Sequence, residues 1–327
     1  MLTAYTCEHG RLQAISAESL SERLASANWI DLLQPTAQES EQMAAATGLR
    51  VPTEADLSEI ETSSRLSVRS GALYLSIPLV AHEETGHRPI PAGFVLSPER
   101  LVTIRFAPSK LFDHFAEATS RGQDRHASSA HLLVGLLEAI VDRQADELEQ
   151  VRAELDTISH RVFRGERTQR RGQKREDGLL SEILVRIGQT GDLISFIRDT
   201  QLAAGRIVPF VQAQAGPWLP KELGPRFDTL RQDIASLNDF DTHLNDKLQF
   251  LLDATLGFIN VSQNTVMKVL TVASVVGIPP VLIAGIYGMN FKSMPEYDWA
   301  WGYAYGLTMI AVTAVIPLIW FRVRGWI

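Results

Sequence analysis

Two stretches of this chain, residues 269–287 and 299–321, carry no Asp, Glu, Lys or Arg, and they constrain the fold more than anything else in the sequence. The first has 19 residues and the second 23. As a helix rising 1.5 Å per residue the shorter one spans about 29 Å, close to the roughly 30 Å hydrocarbon core of a bilayer. The alternative, a pair of buried helices in a soluble core, fits less well, because core helices seldom stay uncharged for so long. Trp299, Trp301, Trp320 and Trp326, with Tyr287, Tyr297, Tyr303 and Tyr305, flank or begin these segments, as the aromatic belts of a membrane interface require. Two membrane spans are expected.

Basic residues orient them. Lys247 and Lys268 precede the first span, Arg322 and Arg324 follow the second, and Lys292 alone lies between. Positive-inside bias then puts both termini in the cytoplasm and the loop 288–298 outside. The opening segment MLTAYTCEHGR has no apolar run of signal-peptide length, so the first part of the chain is expected to stay cytosolic. A single cysteine, Cys7, excludes an intrachain disulfide framework and a four-cysteine zinc site. The net charge of −7 argues against a protein built to bind the backbone of a nucleic acid.

The pattern before the spans divides in two. Residues 1–129 read as an α/β head: 66–69 and 73–79 flank Ser70-Gly71 as a hairpin, 94–96 and 102–106 flank residues 97–100 in the same way, and 37–46 read as a helix. From Ala130 the periodicity becomes helical, with Leu132, Leu133, Leu136, Leu137, Ile140 and Val141 in one stripe, so 130–224 reads as a helical hairpin region. Its middle, residues 161–175, holds seven Lys or Arg and one Glu. That run is expected to be the solvated tip of the hairpin, with a polyanion site as the alternative. The Pro/Gly cluster at 216–220 and Gly224-Pro225 end the region.

After Pro225 no breaker occurs until Gly277, which predicts a stalk helix (225–268) continuing into the first span (269–290). An external loop (291–298), a second span (299–321) and a cytosolic tail (322–327) follow. Alternating steps of four and three along the long helix pick out Asp253, Gly257, Asn260, Asn264, Met267, Thr271, Ser274, Ile278, Val281, Gly285 and Gly288. A repeat of seven holds such a stripe against one axis of a bundle. Small and hydroxyl residues alone would suit a packing seam, but a seam does not welcome copies of Asp253 desolvated against one another. A water-filled axial pore does, and two spans per chain can enclose one only in a ring of identical subunits.

The first span closes on Tyr287-Gly288-Met289-Asn290, followed by Phe291 and then Met294-Pro295-Glu296. A Gly-Met-Asn in that place, behind a long amphipathic stalk, resembles the CorA family of divalent-cation transporters. The resemblance extends to Gly257-Phe258-Ile259-Asn260 with Gln263-Asn264, to Pro279-Pro280, to Met1-Leu2-Thr3-Ala4 and to Trp29-Ile30-Asp31-Leu32. It implies a funnel-shaped homopentamer in the plasma (inner) membrane with one central pore that admits Mg2+, and also Co2+ and Ni2+. Its partners would be identical subunits, divalent cations and the lipid bilayer, with no nucleic acid, no organic cofactor and no enzymatic activity.

By the same resemblance Gly288, Met289 and Asn290 form a mouth of neutral oxygens suited to a hydrated Mg2+. Met267 and Leu270 form apolar gating constrictions, and Asn264 and Asp253 form polar rings at the cytosolic end. Asn260, Thr271, Ser274 and Ile278 line the path between. Intracellular Mg2+ bound between cytosolic domains would hold the closed state, with Asp228, Asp233, Asp239 and Asp246 as candidate ligands and Asp241 and His243 among them. A solvated helix face is the alternative for each. Two features depart from the family: Lys292 stands where an acid is usual, leaving Glu296 and Asp298 to draw cations in, and 161–175 is basic where relatives are acidic. A zinc transporter of the same architecture is the alternative within transport, but the stripe has no His or Cys to serve it above His243. A membrane-tethered sensor is the alternative outside it. Among enzyme signatures the sequence shows no nucleotide-binding glycine loop, no His-Glu-x-x-His and no nucleophile elbow.

Overall fold

The computed structural model describes residues 1–8, 11–59, 61–83, 86–121, 128–164, 173–289, 294 and 299–326. They form β1 (Leu2–Glu8), β2 (Arg11–Ala14), α1 (Leu20–Arg23), β3 (Trp29–Leu33), α2 (Ala37–Thr47), α3 (Glu54–Ser58), α4 (Thr62–Arg65), β4 (Leu66–Arg69), β5 (Ala72–Glu83), β6 (Gly86–Leu96), β7 (Leu101–Arg105), α5 (Lys110–Ser120), α6 (Ser129–Arg164), α7 (Gln173–Ala215), α8 (Gly224–Tyr287) and α9 (Gly302–Val323). Two compact units result, Met1–Leu252 and Asp253–Ile327.

The first unit is built on a seven-stranded sheet in the order β2-β1-β3-β7-β6-β5-β4. Only β3 and β7 pair in parallel; every other neighbouring pair is antiparallel. Both faces are covered, so successive residues of a strand enter different cores. Trp29, Leu73, Leu75, Phe94 and Leu101 face α5, α6, α7 and the start of α8. Ile30, Leu32, Ala72, Val95, Val102 and Ile104 face Met43 of α2 and Leu57 of α3. At the parallel pair one charged couple is taken inside: Arg105 Nη2 lies 2.8 Å from Asp31 Oδ2, Thr103 donates to Asp31 Oδ1 at 2.6 Å, and Trp29 Nε1 donates to Thr103 at 3.1 Å.

Both hairpins read from the sequence are present. Ser70 and Gly71 turn β4 into β5 with φ of 51° and 79°, the left-handed pair that matches the twist of the strands. Between β6 and β7 the Ser97 amide donates to the Arg100 carbonyl at 3.0 Å. α2 starts on a capping box, Thr36 with Glu39, and ends at Gly48 in the left-handed region. Strands β1, β2 and β3 have no counterpart in the sequence reading. β3 carries apolar residues on both faces, with Asp31 among them, and so short a run has no period to separate strand from helix.

α6 and α7 pack as a pair of long helices, and all six residues of the Leu132–Val141 stripe are buried. Ion pairs join the three long helices: Arg161 to Glu182 and Arg186 to Glu154 at 3.4 Å each, Lys247 to Asp156 at 2.6 Å, and Arg226 to Glu138. The centre of the basic run, residues 165–172, lies outside the described residues. α8 runs for 64 residues. Pro225 sits in its first turn, where a missing N–H removes no helical bond, and the helix continues past Gly277 through Pro279 and Pro280.

The second unit is the remainder of α8 with α9. Each holds an 18-residue stretch apolar enough to cross a membrane, of which 0% in α8 and 6% in α9 is buried. Neither stretch is buried as the core helix of a soluble protein is, and by length and composition the chain holds two candidate membrane spans. Gly302 and Gly306 of α9 are buried, and a Cβ on Gly306 would stand 4.0 Å from the Tyr287 ring. Glycines four apart let two helices approach closely. After α9 the Gly325 residue, at φ 70°, reverses the chain. Trp326 N donates to Phe321 O at 2.9 Å and Gly325 N to Arg322 O at 3.1 Å, a Schellman stop.

Candidate ion pathway

The stripe from Asp253 to Gly288 lies wholly on the second unit's part of α8. Ten of its eleven members are exposed and Ser274 is half-buried. Within the span the other half-buried residues are Val272, Val276, Pro279, Pro280, Ile283 and Tyr287. At 100° per residue these six centre about 200° around the helix from the stripe. Tyr287 is the one that meets Gly306, and Lys268 Nζ, at the near end, lies 5.9 Å from the Trp326 ring centroid. α8 therefore spends one face on α9 and leaves the hydrophilic face turned away from it. Leu282, 63% exposed, lies at the edge of the stripe, where lipid or a neighbouring helix suits it.

The stripe is polar toward Asp253 and apolar in its middle. Asp253, Asn260 and Asn264 are exposed, followed by Met267, with Leu270 beside it, at 58% and 60% exposure. The Thr271 hydroxyl donates to the Met267 carbonyl at 2.8 Å, which fixes the hydroxyl and leaves its oxygen lone pairs on the stripe. Pro279 and Pro280 have no N–H, so the helical bonds to the carbonyls of Val275 and Val276 are not made. Ile278 and Val281 follow, both exposed.

At the far end the helix tightens before it stops. The Gly288 amide donates to Ala284 O at 3.0 Å and Gly285 O at 3.2 Å, and the Met289 amide to Ile286 O at 3.2 Å. A Cβ at Gly288 would stand 3.2 Å from the Ala284 oxygen and 3.5 Å from that of Gly285, a squeeze that glycine avoids. The last carbonyls of a helix carry partial negative charge and favour a cation at that end. Asn290, Lys292, Glu296 and Asp298 lie outside the described residues.

The candidate regulatory carboxylates are on the first unit's part of α8. Asp228, Asp233, Asp239 and Asp246 are exposed, as is His243. Asp228 has Arg231 at 3.8 Å, and Asp233 faces Asp142, whose carboxyl is pushed up by burial and then by Glu138, Asp233 and Asp146. Among the described residues no three His, Cys, Asp or Glu side chains stand together as a finished metal site, so one subunit does not assemble these carboxylates. Asp241 differs from them. It is buried, both of its oxygens lack a hydrogen bond among the described residues, and Arg198 Nε approaches only to 3.7 Å. Sequence reasoning missed the Gly302–Gly306 edge and the folded-back tail. The spacing of the two glycines was the available signal for the first, and Gly325 for the second.

The family model described as CorA-like Mg2+ transporter protein matches residues 25–323. Among curated relatives, the magnesium transport protein CorA of Escherichia coli is 29% identical over 332 residues, covering 100% of both chains. That of Haemophilus ducreyi is 28% identical over 328 residues with the same coverage. The solved CorA magnesium transporter of Methanocaldococcus jannaschii superposes with a TM-score of 0.74 at 21% identity, covering 100% of this chain and 99% of the other, which establishes the shared fold.

Proposed function

The chain belongs to the CorA-like Mg2+ transporter family, and from that premise we propose that it carries Mg2+ across the membrane through a pore lined by the exposed stripe of α8. The observation that carries the reading is the segregation of faces: the stripe lies about 200° from the face that meets α9, exposed from Asp253 to Gly288. Five copies, as a homopentamer, would bring five such stripes around one axis and hide them from lipid.

In that ring the Gly288 carbonyl, with Met289 and Asn290, receives the ion through its waters. Mg2+ holds its hydration shell tightly, so neutral oxygens that bind the shell retain the ion weakly enough to release it. Glu296 in the external loop draws cations to the mouth against the repulsion of Lys292. The rings of Met267 and Leu270 exclude water when the helices close, while Asn260, Asn264, Thr271 and Ser274 hydrate the path when they open. Asp253 concentrates the cation at the inner end. Two charges crossing 100 mV, inside negative, gain about 4.6 kcal/mol, roughly a two-thousandfold concentration ratio, so uptake needs no coupled reaction. Co2+ and Ni2+ share the path as hydrated dications. Intracellular Mg2+, bridging Asp228, Asp233, Asp239 or Asp246 of one subunit to its neighbour, favours the closed conformer by ordinary linkage. Both termini face the cytoplasm, and the membrane is the plasma (inner) membrane.

Flux into liposomes holding the purified protein tests the reading. Asn290→Ala abolishes Mg2+ uptake while the oligomer persists in solution; unchanged uptake removes the mouth from Asn290.

A further inference from the structure

The tail that follows α9 gathers charges that the ion pathway does not use. Lys268 stands immediately before one uncharged stretch and Arg322 immediately after the other. Tyr287 meets Gly306 at the opposite end of the pair, so the two cations mark one and the same boundary of the spans. Past Arg322 the turn at Gly325 folds the chain back, and an unbroken run of ring contacts results. Lys268 Nζ lies 5.9 Å from the Trp326 centroid, Trp326 lies 5.4 Å from Phe321, and Phe321 lies 5.1 Å from Trp320, whose ring has the Arg324 guanidinium carbon at 5.3 Å. Phe321, at the centre of the run, is buried, while Lys268, Arg322 and Arg324 are exposed. The sequence has no Asp or Glu at 254–295 or beyond Asp298, and among the described residues none of the three cations has an anionic partner.

We propose that Lys268, Arg322 and Arg324, with Trp320 and Trp326, bind the phosphate headgroup of an anionic phospholipid at this boundary. Guanidinium and ammonium groups both take phosphate, the first through paired N–H bonds and the second as a point charge. A cation laid over an indole engages the ring face and keeps N–H donors for an anion. Indole rings belong at headgroup depth, and the uncharged stretches of the two helices put the cations where that layer begins. A soluble polyanion has no such reason to meet them there. Basic residues at a membrane end attract anionic lipid in a general way. The turn at Gly325 does more, because it brings Trp326 from beyond α9 onto Lys268 of α8 and makes one site of cations from two helices. The site is distinct from the stripe, since Lys268 lies about 100° around the helix from Met267, on the side of Val272, one of the half-buried residues.

The test is native mass spectrometry of the full-length protein released from vesicles of phosphatidylglycerol and phosphatidylcholine in equal amounts with the same acyl chains. The wild type retains phosphatidylglycerol in preference. Each basic side chain beside an anionic headgroup is worth about fivefold, so Lys268→Gln, Arg322→Gln and Arg324→Gln each lower the preference by about that factor and the triple variant by about a hundredfold. The single variants, at exposed positions, serve where the triple one fails to fold. Gly325→Val keeps all three charges but opposes the φ of 70° at the turn, and it lowers the preference as well. A wild type without preference, charge variants that keep it, or a folded Gly325→Val that leaves it unchanged overturns the proposal. Release of the lipid by excess inorganic phosphate does so too, since the site would then be one for soluble anions. Asn290→Ala keeps the lipid preference while losing Mg2+ uptake, so this site and the transport reading fail separately.

Discussion

Replacing Asp241 by asparagine stabilises the protein, although Asp241 is half of an ion pair. The carboxylate is 1% exposed, its partner Arg198 is 50% exposed, and 3.7 Å separates them. At an effective dielectric of 20 that attraction is about 4 kcal/mol, and water around the half-exposed guanidinium screens it to roughly half. Against it stands the desolvation of a buried carboxylate, several kcal/mol, with no hydrogen bond to either oxygen among the described residues. A buried amide without partners costs about 1–3 kcal/mol, and Arg198, once released, turns to solvent. The balance is a gain of about 1 kcal/mol, or roughly 2–4 °C in Tm. A pH signature accompanies it. Burial raises the Asp241 pKa, and Arg198 only partly lowers it again. An acid with a raised folded pKa binds more protons folded than unfolded, so it loses stability as pH rises from the unfolded value, about 3.9, through the folded one, and nothing further above that. The wild type therefore gains on Asp241→Asn as pH falls through that window. Thermal unfolding of the detergent-solubilised protein at several pH values measures both effects. A variant several degrees less stable at neutral pH, with a gap that narrows in acid, would refute the reasoning. Mg2+ inhibition of uptake is unchanged in this variant, because a carboxylate inside the helix packing does not meet the ion.

Asp253→Ala leaves the oligomer intact and changes Mg2+ uptake only mildly, as scored by liposome flux and size-exclusion chromatography; loss of assembly would make the residue structural. Lys292→Glu raises the initial uptake rate at low ionic strength, and salt erases the difference because about 8 Å of Debye screening covers the mouth at physiological strength. Gly306→Leu drives a side chain into the Tyr287 ring, 4.0 Å from the position of its Cβ. It lowers Tm by the roughly 2–12 °C that overpacking of about 1–3 kcal/mol implies, while Tyr287→Ala in the same chain recovers part of the loss.

The sequence displayed the elements whose pattern has a period or a punctuation mark. Ser70-Gly71 announces a hairpin through the left-handed φ values that glycine and its neighbour adopt there, and the uncharged runs announce the spans. The stripe was legible because its spacing of four and three survives through Pro279-Pro280, where a breaker would be expected to end the helix. Other features depend on segments far apart in the chain. β3 pairs in parallel with β7, seventy residues on, and the contact that fixes them, Asp31 with Arg105, leaves no local trace. The same holds for His82 with Glu147, joined across 65 positions, and for Asp241, which pairs with Arg198 of α7. An aspartate on a stalk looks the same in sequence whether it faces water or Arg198.

The separation of duties around α8 also bears on how such a protein can change. In the proposed ring, substitutions between Met267 and Gly285 on the stripe alter what the helix offers its own copies and the ion, yet touch none of the side chains on the face that carries Tyr287. Conductance and selectivity are thereby free to drift, or to be redesigned, without each step being taxed by a weaker helical pair.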